Sequence, residues 1–170
     1  MRTPHIVIRQ VGVAKVLDLR HKVLRAGLPI EAAHFEGDQA QTTLHLAAFQ
    51  TNASGHPGEN PVACLSLMLN SFNGQPAWQL RGMAVEPSLQ RHGLGSRLLA
   101  HAEQAAAADG SVGLLWCNAR LGATGFYQKM GWSIVSSEFN IPTAGPHVNM
   151  IKKLARLKLP ETVDKRGGCG

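Results

Sequence analysis

Residues 90–96 of the chain are Gln90-Arg91-His92-Gly93-Leu94-Gly95-Ser96. They follow a strand-like apolar run that ends at Val85, and they open the most regular helical pattern in the sequence. Two glycines separated by one residue let the backbone turn tightly, and their missing Cβ atoms leave room for an anion beside the amide groups. A helix beginning at Leu94 would add its unpaired first-turn amides and the positive end of its dipole. The stretch therefore predicts a phosphate-binding turn that needs no lysine.

The spacing of this turn excludes the two commonest phosphate-binding motifs. The chain contains no GxxxxGK[ST] sequence, so it has no P-loop. A dinucleotide-binding fingerprint would require a third glycine where Leu98 stands and a first glycine close to the end of the strand. Seven residues separate Val85 from Gly93 instead. The pattern that remains is Gln/Arg-x-x-Gly-x-Gly.

A second motif lies downstream, where a short apolar run at residues 112–117 predicts a strand. Asn118 is predicted to end this strand, and residues 120–129 predict a helix that Gly131 closes as a C-cap. The motif is Gly125-Phe126-Tyr127-Gln128-Lys129-Met130-Gly131-Trp132. Tyr127 is the only tyrosine in the chain, so any chemistry that needs a phenol hydroxyl depends on this residue.

The two motifs together resemble the GNAT superfamily of acyl-CoA-dependent N-acyltransferases. Residues 90–95 match its glycine pattern, and residues 126–132 are similar to its Phe-Tyr-x-Lys-x-Gly-Phe signature, with Trp132 in the last place. The resemblance is strong over roughly the middle third of the chain and elsewhere rests on the order of elements. It implies an acetyltransferase that uses acetyl-CoA as cosubstrate. The residues it assigns to cofactor binding are Met83, Ala84, Val85, Gln90, Arg91, His92, Gly93, Leu94, Gly95, Ser96 and Asn118.

The same resemblance implies a mechanism in which a primary amine of a small molecule or peptide attacks the thioester directly. Tyr127 would be the general acid for the departing thiolate, since a thiol has a pKa of about 8.5 and a phenol one of about 10. Backbone amides near Met83 and Ala84 would hold the oxyanion. The rival interpretation is a non-catalytic acyl-CoA-binding module, which would keep the glycine turn and lose the acid. The presence of Tyr127 favours the enzyme.

The base that takes the amine proton stays open. Some relatives carry a glutamate on the strand before the glycine turn, but the corresponding residue here is Gln79, which cannot accept a proton. The remaining candidates are Glu36, Asp38, His45, Glu138 and water.

The sequence does not identify the acceptor. Acidic residues in the expected acceptor region would favour a cationic amine if they line the pocket. These residues are Glu31, Glu36, Asp38 and Glu138.

Patterns along the whole chain predict one GNAT-like α/β domain over residues 1–154. The expected sheet is mixed and mostly antiparallel, with about six to seven strands, about four flanking helices and a splayed central strand pair. Gly82 lies inside the predicted strand at residues 78–85 and marks a bulge or a close backbone approach. The Asn73-Gly74 turn predicts an antiparallel hairpin between residues 62–69 and that strand. Further strands are predicted at residues 6–9, 42–49, 133–138 and 147–154, and a helix is predicted to end near Gly27.

Composition and charge limit the alternatives. The chain has 170 residues, 44% of them hydrophobic, which suits one domain with a sizeable core. Its net charge of +6 raises the alternative of a nucleic-acid-binding protein, but residues 152–166 contribute +4 of that charge. Residues 155–170 are predicted to form a basic, flexible tail. Aromatic residues make up only 5% of the chain and show no stacking pattern, so no specific nucleic-acid partner is predicted.

Location and assembly are predicted only in outline. No apolar run is long enough to cross a bilayer, and Met1-Arg2-Thr3-Pro4 lacks the apolar core of a signal peptide. A cytoplasmic protein with no membrane partner is therefore expected. The eight histidines are scattered singly and the three cysteines show no CxxC spacing, so no metal site is predicted. Open final strands in the sheet are compatible with a homodimer.

Overall fold

A computed structural model describes residues 5–155 of the chain. The strands are β1 (Ile6–Val11), β2 (Leu44–Gln50), β3 (Ala63–Phe72), β4 (Gln75–Val85), β5 (Leu114–Arg120), β6 (Ser133–Ile134), β7 (Phe139–Ile141) and β8 (Gly145–Lys153). The α-helices are α1 (Ala14–Leu24), α2 (Leu94–Asp109) and α3 (Thr124–Lys129), and short 3-10 turns lie at Ile30–Ala33, Pro87–Leu89 and Leu121–Ala123. The predicted basic tail lies outside the described residues, apart from Ala155.

All eight strands belong to one sheet with the order β1-β2-β3-β4-β5-β8-β6. Strand β7 pairs with the N-terminal part of β8, residues 145–147. Only β4 and β5 are parallel, which confirms the predicted mixed, mostly antiparallel sheet. The sheet has more strands than expected because residues 139–141 form the additional strand β7, and the strand predicted at residues 133–138 is reduced to β6 at residues 133–134. The Ser136 hydroxyl accepts the amide of Asn149 at 2.7 Å, so a side chain takes the place of the next backbone pair. Residues 5–155 contain three α-helices rather than four, and none of them is long and apolar enough to span a lipid bilayer.

The helices lie on opposite faces of the sheet, as the side chains of β2 indicate. Neighbouring residues of a strand point to opposite faces. Leu46 and Ala48 pack in a core that includes the buried face of α2, whereas Ala47 and Phe49 pack with Val16 on α1. Helices α1 and α2 therefore cover different faces, with the sheet between them.

Strand β4 contains the predicted bulge. Its pairing with β3 shifts between Cys64, which is opposite Ala84, and Ser66, which is opposite Arg81. Gly82 lies at this shift with φ +58°, and a Cβ there would be 2.6 Å from Nε of the buried Arg20. Glycine is therefore required at this point both by the backbone conformation and by the lack of space.

Strands β4 and β5 separate towards their carboxyl ends, as predicted. They pair at Trp78 with Leu115 and continue only as far as Leu80 with Cys117. Beyond Leu80, β5 keeps its antiparallel ladder with β8, while the edge of β4 that faces β5 has no ladder partner among residues 5–155. The result is a V-shaped gap in the middle of the sheet.

Two predicted boundaries beside this gap are wrong. Strand β5 does not end at Asn118, because its ladder with β8 continues to Arg120, opposite His147. Helix α3 begins at Thr124 rather than at residue 120 because residues 121–123 form a 3-10 turn. Gly122 in that turn has a low helix propensity, which is consistent with the late start. The correction places Asn118 and Arg120 on a rigid strand.

Candidate active site

The gap between β4 and β5 opens into a cleft of about 960 Å³. On the α2 face the lining includes Gly93 and Phe126, and on the α1 face it includes Leu24 and Phe35. Because α1 and α2 cover opposite faces, the cleft passes from one face of the sheet to the other through the gap. Two molecules could therefore enter from opposite sides and meet between the strands.

Most of the residues predicted for the site line this cleft. The exceptions are His92, which is exposed, and Leu94, which is 6% exposed and packs in the core. The predicted residues that line the cleft are Met83, Ala84, Val85, Gln90, Arg91, Gly93, Gly95, Ser96, Asn118 and Tyr127.

The glycine turn leaves the first amides of α2 without a side-chain partner. Arg91 and Gly93 both have positive φ values, 64° and 78°, and no side chain caps the helix. The amide of Arg97 donates to the carbonyl of Gly93 at 3.1 Å, so the amides before it precede the helical ladder. The Gln90 side chain donates to the carbonyl of Val85 at 3.0 Å and fixes the turn to the end of β4. This geometry suits an anion at the helix N-terminus.

The two glycines of the turn serve different purposes. A Cβ at Gly93 would meet no atom within 4 Å, so this position faces open space. A Cβ at Gly95 would lie 3.3 Å from Cε of Met83 and 3.6 Å from the Phe126 ring. Gly95 therefore lets α2 pack closely on β4 and α3, whereas Gly93 supplies the left-handed turn.

Tyr127 reaches the gap from α3. The residue is 8% exposed, and its ring packs between Phe126 and Trp132, with ring centroids 5.1 and 5.3 Å away. Its hydroxyl lies 3.8 Å from Sδ of Met83 on β4. Burial raises the pKa of Tyr127 above its ordinary value, and the neighbouring Cys117 raises it further. The hydroxyl is therefore a neutral donor at neutral pH.

The thiol of Cys117 shows how burial beside Tyr127 affects the pKa of a sulfur group. The residue is buried beside Tyr127, and burial raises the pKa of its thiol to about 12, against a smaller opposing effect of the Tyr127 hydrogen bond. The thiol is therefore protonated at neutral pH and is a poor nucleophile.

Asn118 lies on the wall of the cleft formed by β5. Its side-chain oxygen accepts a hydrogen bond from Nδ2 of Asn149, directly opposite on β8, at 2.7 Å. The pairing fixes the orientation of an otherwise exposed amide beside the cleft.

The sequence of the chain matches a known family over most of the elements that build this cleft. Residues 22–132 match the family model of the acetyltransferase (GNAT) family. The chain belongs to the GNAT family. As a member it is an acyltransferase, and its sheet, bulge and gap form a GNAT domain.

The similarity to individual proteins extends beyond residues 22–132. YitI of Bacillus subtilis (strain 168), described as an uncharacterized N-acetyltransferase, is 32% identical over 152 residues, which cover 86% of this chain and 95% of YitI. A putative N-acetyltransferase from Lactobacillus plantarum has a TM-score of 0.71 at 18% identity, covering 88% of this chain and 99% of its own. An aminoglycoside 6'-N-acetyltransferase complexed with coenzyme A has a TM-score of 0.66 at 15% identity, and the match covers 89% of this chain and 98% of that enzyme. The two solved structures share the fold of the GNAT domain.

Two of the candidate bases, Asp38 and His45, are already hydrogen-bonded to other residues of the GNAT domain. Asp38 is buried and accepts from Nη1 of Arg20 at 2.6 Å and from the amide of Phe35 at 2.8 Å. His45 is buried with Nδ1 2.6 Å from Ser66 Oγ and Nε2 2.9 Å from the Asp38 carbonyl. Neither residue lines the cleft. This polar network holds the segment after α1 against the sheet.

The two remaining candidate residues also fall outside the lining of the cleft, and water is not tested as the base. Glu36 and Glu138 are exposed, and neither lines it. Gln79, at the position of the glutamate found in some relatives, does line the cleft and accepts from Nδ2 of Asn70 at 2.9 Å. Glu31 is exposed and absent from the lining as well. The predicted preference for a cationic amine required acidic residues in the lining of the cleft, and none of the four proposed acidic residues lies there.

His147 lines the cleft and was missed in the sequence. Its Nδ1 lies 2.7 Å from the carbonyl oxygen of Gly145, and because a carbonyl only accepts, Nδ1 carries the hydrogen. The lone pair of the neutral ring is then on Nε2, for which the described residues provide no hydrogen-bond partner. The ring stacks on Phe139 at 6.2 Å between centroids, which fixes its plane. Its place in the site depends on the pairing of β8 with β5, which sets His147 opposite Arg120, and no local sequence pattern indicates that pairing.

Proposed function

We propose that the protein transfers the acetyl group of acetyl-CoA to a primary amine of a small molecule or peptide. The observation that carries the proposal is the continuous cleft, which joins the uncapped start of α2 to the α1 face through the gap. Tyr127 lies beside Met83 on β4 and Cys117 on β5, where these strands separate and where the cofactor and the acceptor would meet. Holding two reactants in line at one point is a large part of what such an enzyme must do.

The residues around the glycine turn fit coenzyme A. The pyrophosphate would bind the free amides of residues 93–96, and the open space beside Gly93 leaves room for it. The unpaired edge of β4 at Met83, Ala84 and Val85 would pair with the pantetheine amides, and Asn118 would bind them from the opposite wall. When bound, acetyl-CoA supplies an acetyl group activated as a thioester.

Tyr127 acts in this proposal as the general acid. Its hydroxyl gives a proton to the sulfur while the carbon–sulfur bond breaks and the carbon–nitrogen bond forms. The raised pKa of the Cys117 thiol supports the role, because the same burial would disfavour a free thiolate from the cofactor. Backbone amides near Met83 and Ala84 stabilise the negative charge that develops on the carbonyl oxygen.

His147 acts as the base in place of the four residues considered from the sequence. Its Nε2 takes the proton that the amine loses, and Nδ1 holds the ring through Gly145. After one turnover His147 has gained one proton and Tyr127 has lost one, and exchange with solvent restores both. General base catalysis contributes about a hundredfold or more to the rate.

We expect His147→Asn to lower kcat by about a hundredfold. Asparagine keeps a donor near the position of Nδ1 and removes the basic nitrogen. The affinity for acetyl-CoA, measured by calorimetry, should stay within about threefold because the residue lies on the acceptor side. A kcat close to that of the parent protein would rule out His147 as the base.

The proposed activity is tested by thiol release from acetyl-CoA over a panel of primary amines, with mass spectrometry of the acetylated product. Amine-dependent release together with a product 42 Da heavier, about the mass of one added acetyl group, supports the transferase. Tight binding of acetyl-CoA without turnover for any amine supports the acyl-CoA-binding module instead. The cytoplasmic location and the homodimer stay predictions.

A further inference from the structure

The charged residues that line the cleft are all basic. Arg25, Arg81, Arg91 and Arg120 belong to the lining, and among the residues of the described chain no aspartate or glutamate does. Arg91 lies in the glycine turn, on the side assigned to the cofactor. Arg25 ends α1 and Arg120 ends β5, so these two stand at the opposite mouth, where the acceptor would enter.

Within residues 5–155, Arg25 and Arg120 are held together without a counter-ion. Nη1 of Arg25 and Nη2 of Arg120 both donate to the carbonyl oxygen of Leu24, at 3.0 and 3.1 Å. The ion pairs found within residues 5–155 involve neither arginine. Burial lowers the pKa of Arg25, and the positive charge of Arg120 lowers it further. Two like charges on one oxygen repel each other, and an anion between them would relieve that repulsion.

Arg20, which does not line the cleft, shows how the fold treats an arginine with a structural role: a carboxylate neutralises its guanidinium. Arg20 is fully buried and is bound by both oxygens of Asp38, at 2.6 and 3.3 Å, and by the Ser66 hydroxyl at 2.9 Å. Arg25 lies over the Phe35 ring as Arg20 does, 5.3 Å from its centroid against 4.2 Å for Arg20, but among residues 5–155 it forms no ion pair. A ring orients a guanidinium while leaving its fork of donors largely free for a ligand.

Resting on the proposed function, we propose that the acceptor is an amine that also carries a carboxylate or phosphate group, which Arg25 and Arg120 bind. Arg120 is directly opposite His147 in the β5–β8 ladder, where facing side chains lie about 5 Å apart at Cβ. An anion on Arg120 would place the amine of a short molecule beside the His147 base. The favoured acceptors therefore have the amine and the anionic group only a few bonds apart. The paired guanidinium forks match the geometry of either anion.

The first test measures binding and needs no knowledge of the natural acceptor. The parent protein, saturated with coenzyme A so that the glycine turn is filled, is titrated with N-acetylglycine, its neutral analogue N-acetylglycinamide, and inorganic phosphate. We expect N-acetylglycine or phosphate to bind at least about tenfold more tightly than the amide. N-acetylglycine binding alone identifies a carboxylate, and phosphate binding alone identifies a phosphate. Equal or undetectable binding of all three probes would overturn the proposal.

The second test uses Arg120→Gln, with Arg9→Gln as the charge-matched control. Both arginines are exposed on strands, and Arg9 lies on β1, outside the lining of the cleft. Arg120→Gln should remove most of the preference for the anionic probes, whereas Arg9→Gln should keep it. An unchanged preference in Arg120→Gln would contradict the assignment. Anion binding that depends on Arg120 in a protein that never turns over acetyl-CoA would retain the anion site and reject only the transferase function.

Discussion

Gly93→Asp should lose about a hundredfold in affinity for acetyl-CoA. The substitution places a carboxylate in the open space beside the uncapped amides of α2. Two unit charges about 5 Å apart repel by about 3 kcal/mol at an effective dielectric constant of about 20, and each 1.4 kcal/mol is about tenfold in affinity. Isothermal titration calorimetry measures the change directly.

Gly93→Asn is the matched control. Position 93 has φ 78°, a conformation that asparagine and aspartate tolerate better than other side chains. The two variants have nearly the same shape and backbone strain and differ in charge. Gly93→Asn should therefore bind acetyl-CoA much more tightly than Gly93→Asp. Equal losses in the two variants would mean that shape or strain, not the charge of a bound phosphate, explains the effect.

Tyr127→Phe should lower kcat by about a hundredfold or more while the KM for acetyl-CoA changes little. The hydroxyl is lost, and general acid catalysis contributes about a hundredfold to ten-thousandfold to such rates. An interaction needed only as the thiolate leaves affects kcat more than ground-state binding. Steady-state thiol release at saturating amine measures both constants.

Thermal unfolding separates this effect from damage to the fold. Phenylalanine keeps the ring contacts with Phe126 and Trp132, and the hydrogen bonds lost in the described structure are to two sulfur atoms, Sδ of Met83 and the Cys117 thiol. The free energy of unfolding should change by less than about 1 kcal/mol. A variant that is equally stable and turns over within about threefold of the parent would show that Tyr127 is not the acid.

Local patterns in the sequence were enough to predict the centre of the fold. The bulge at Gly82 and the Asn73-Gly74 hairpin follow from backbone conformations that few other residues adopt, and φ values of 47° and 77° at the turn agree with the prediction. The gap between β4 and β5 followed from the family resemblance rather than from local pattern. The end of β5 was misplaced because it depends on pairing with β8, which comes about thirty residues later in the chain. The start of α3 was misplaced because residues 121–123 form a 3-10 turn rather than the first turn of the helix.

The acceptor side of the cleft could not be predicted, for the same reason. Arg25 and Arg120 are far apart in the sequence and meet at the Leu24 carbonyl only in the folded chain. Asp38 was a reasonable base from its residue type, but its pairing with Arg20 depends on how the segment after α1 folds back. A sequence motif identifies groups that lie close together in the chain. Contacts between charged residues on different elements can be predicted only when the register of the sheet is known.

Binding of acetyl-CoA in this cleft underlies every proposed step, and it is measured by the thermal midpoint of the parent protein with and without excess acetyl-CoA. A ligand at about a hundredfold its Kd stabilises a protein by about 2.7 kcal/mol, and about 2 to 4 °C per kcal/mol is expected at this size. We expect the midpoint to rise by about 5 °C or more, a shift that is lost in Gly93→Asp and largely kept in Gly93→Asn. A folded parent protein whose midpoint does not move with acetyl-CoA would contradict the binding of acetyl-CoA in this cleft.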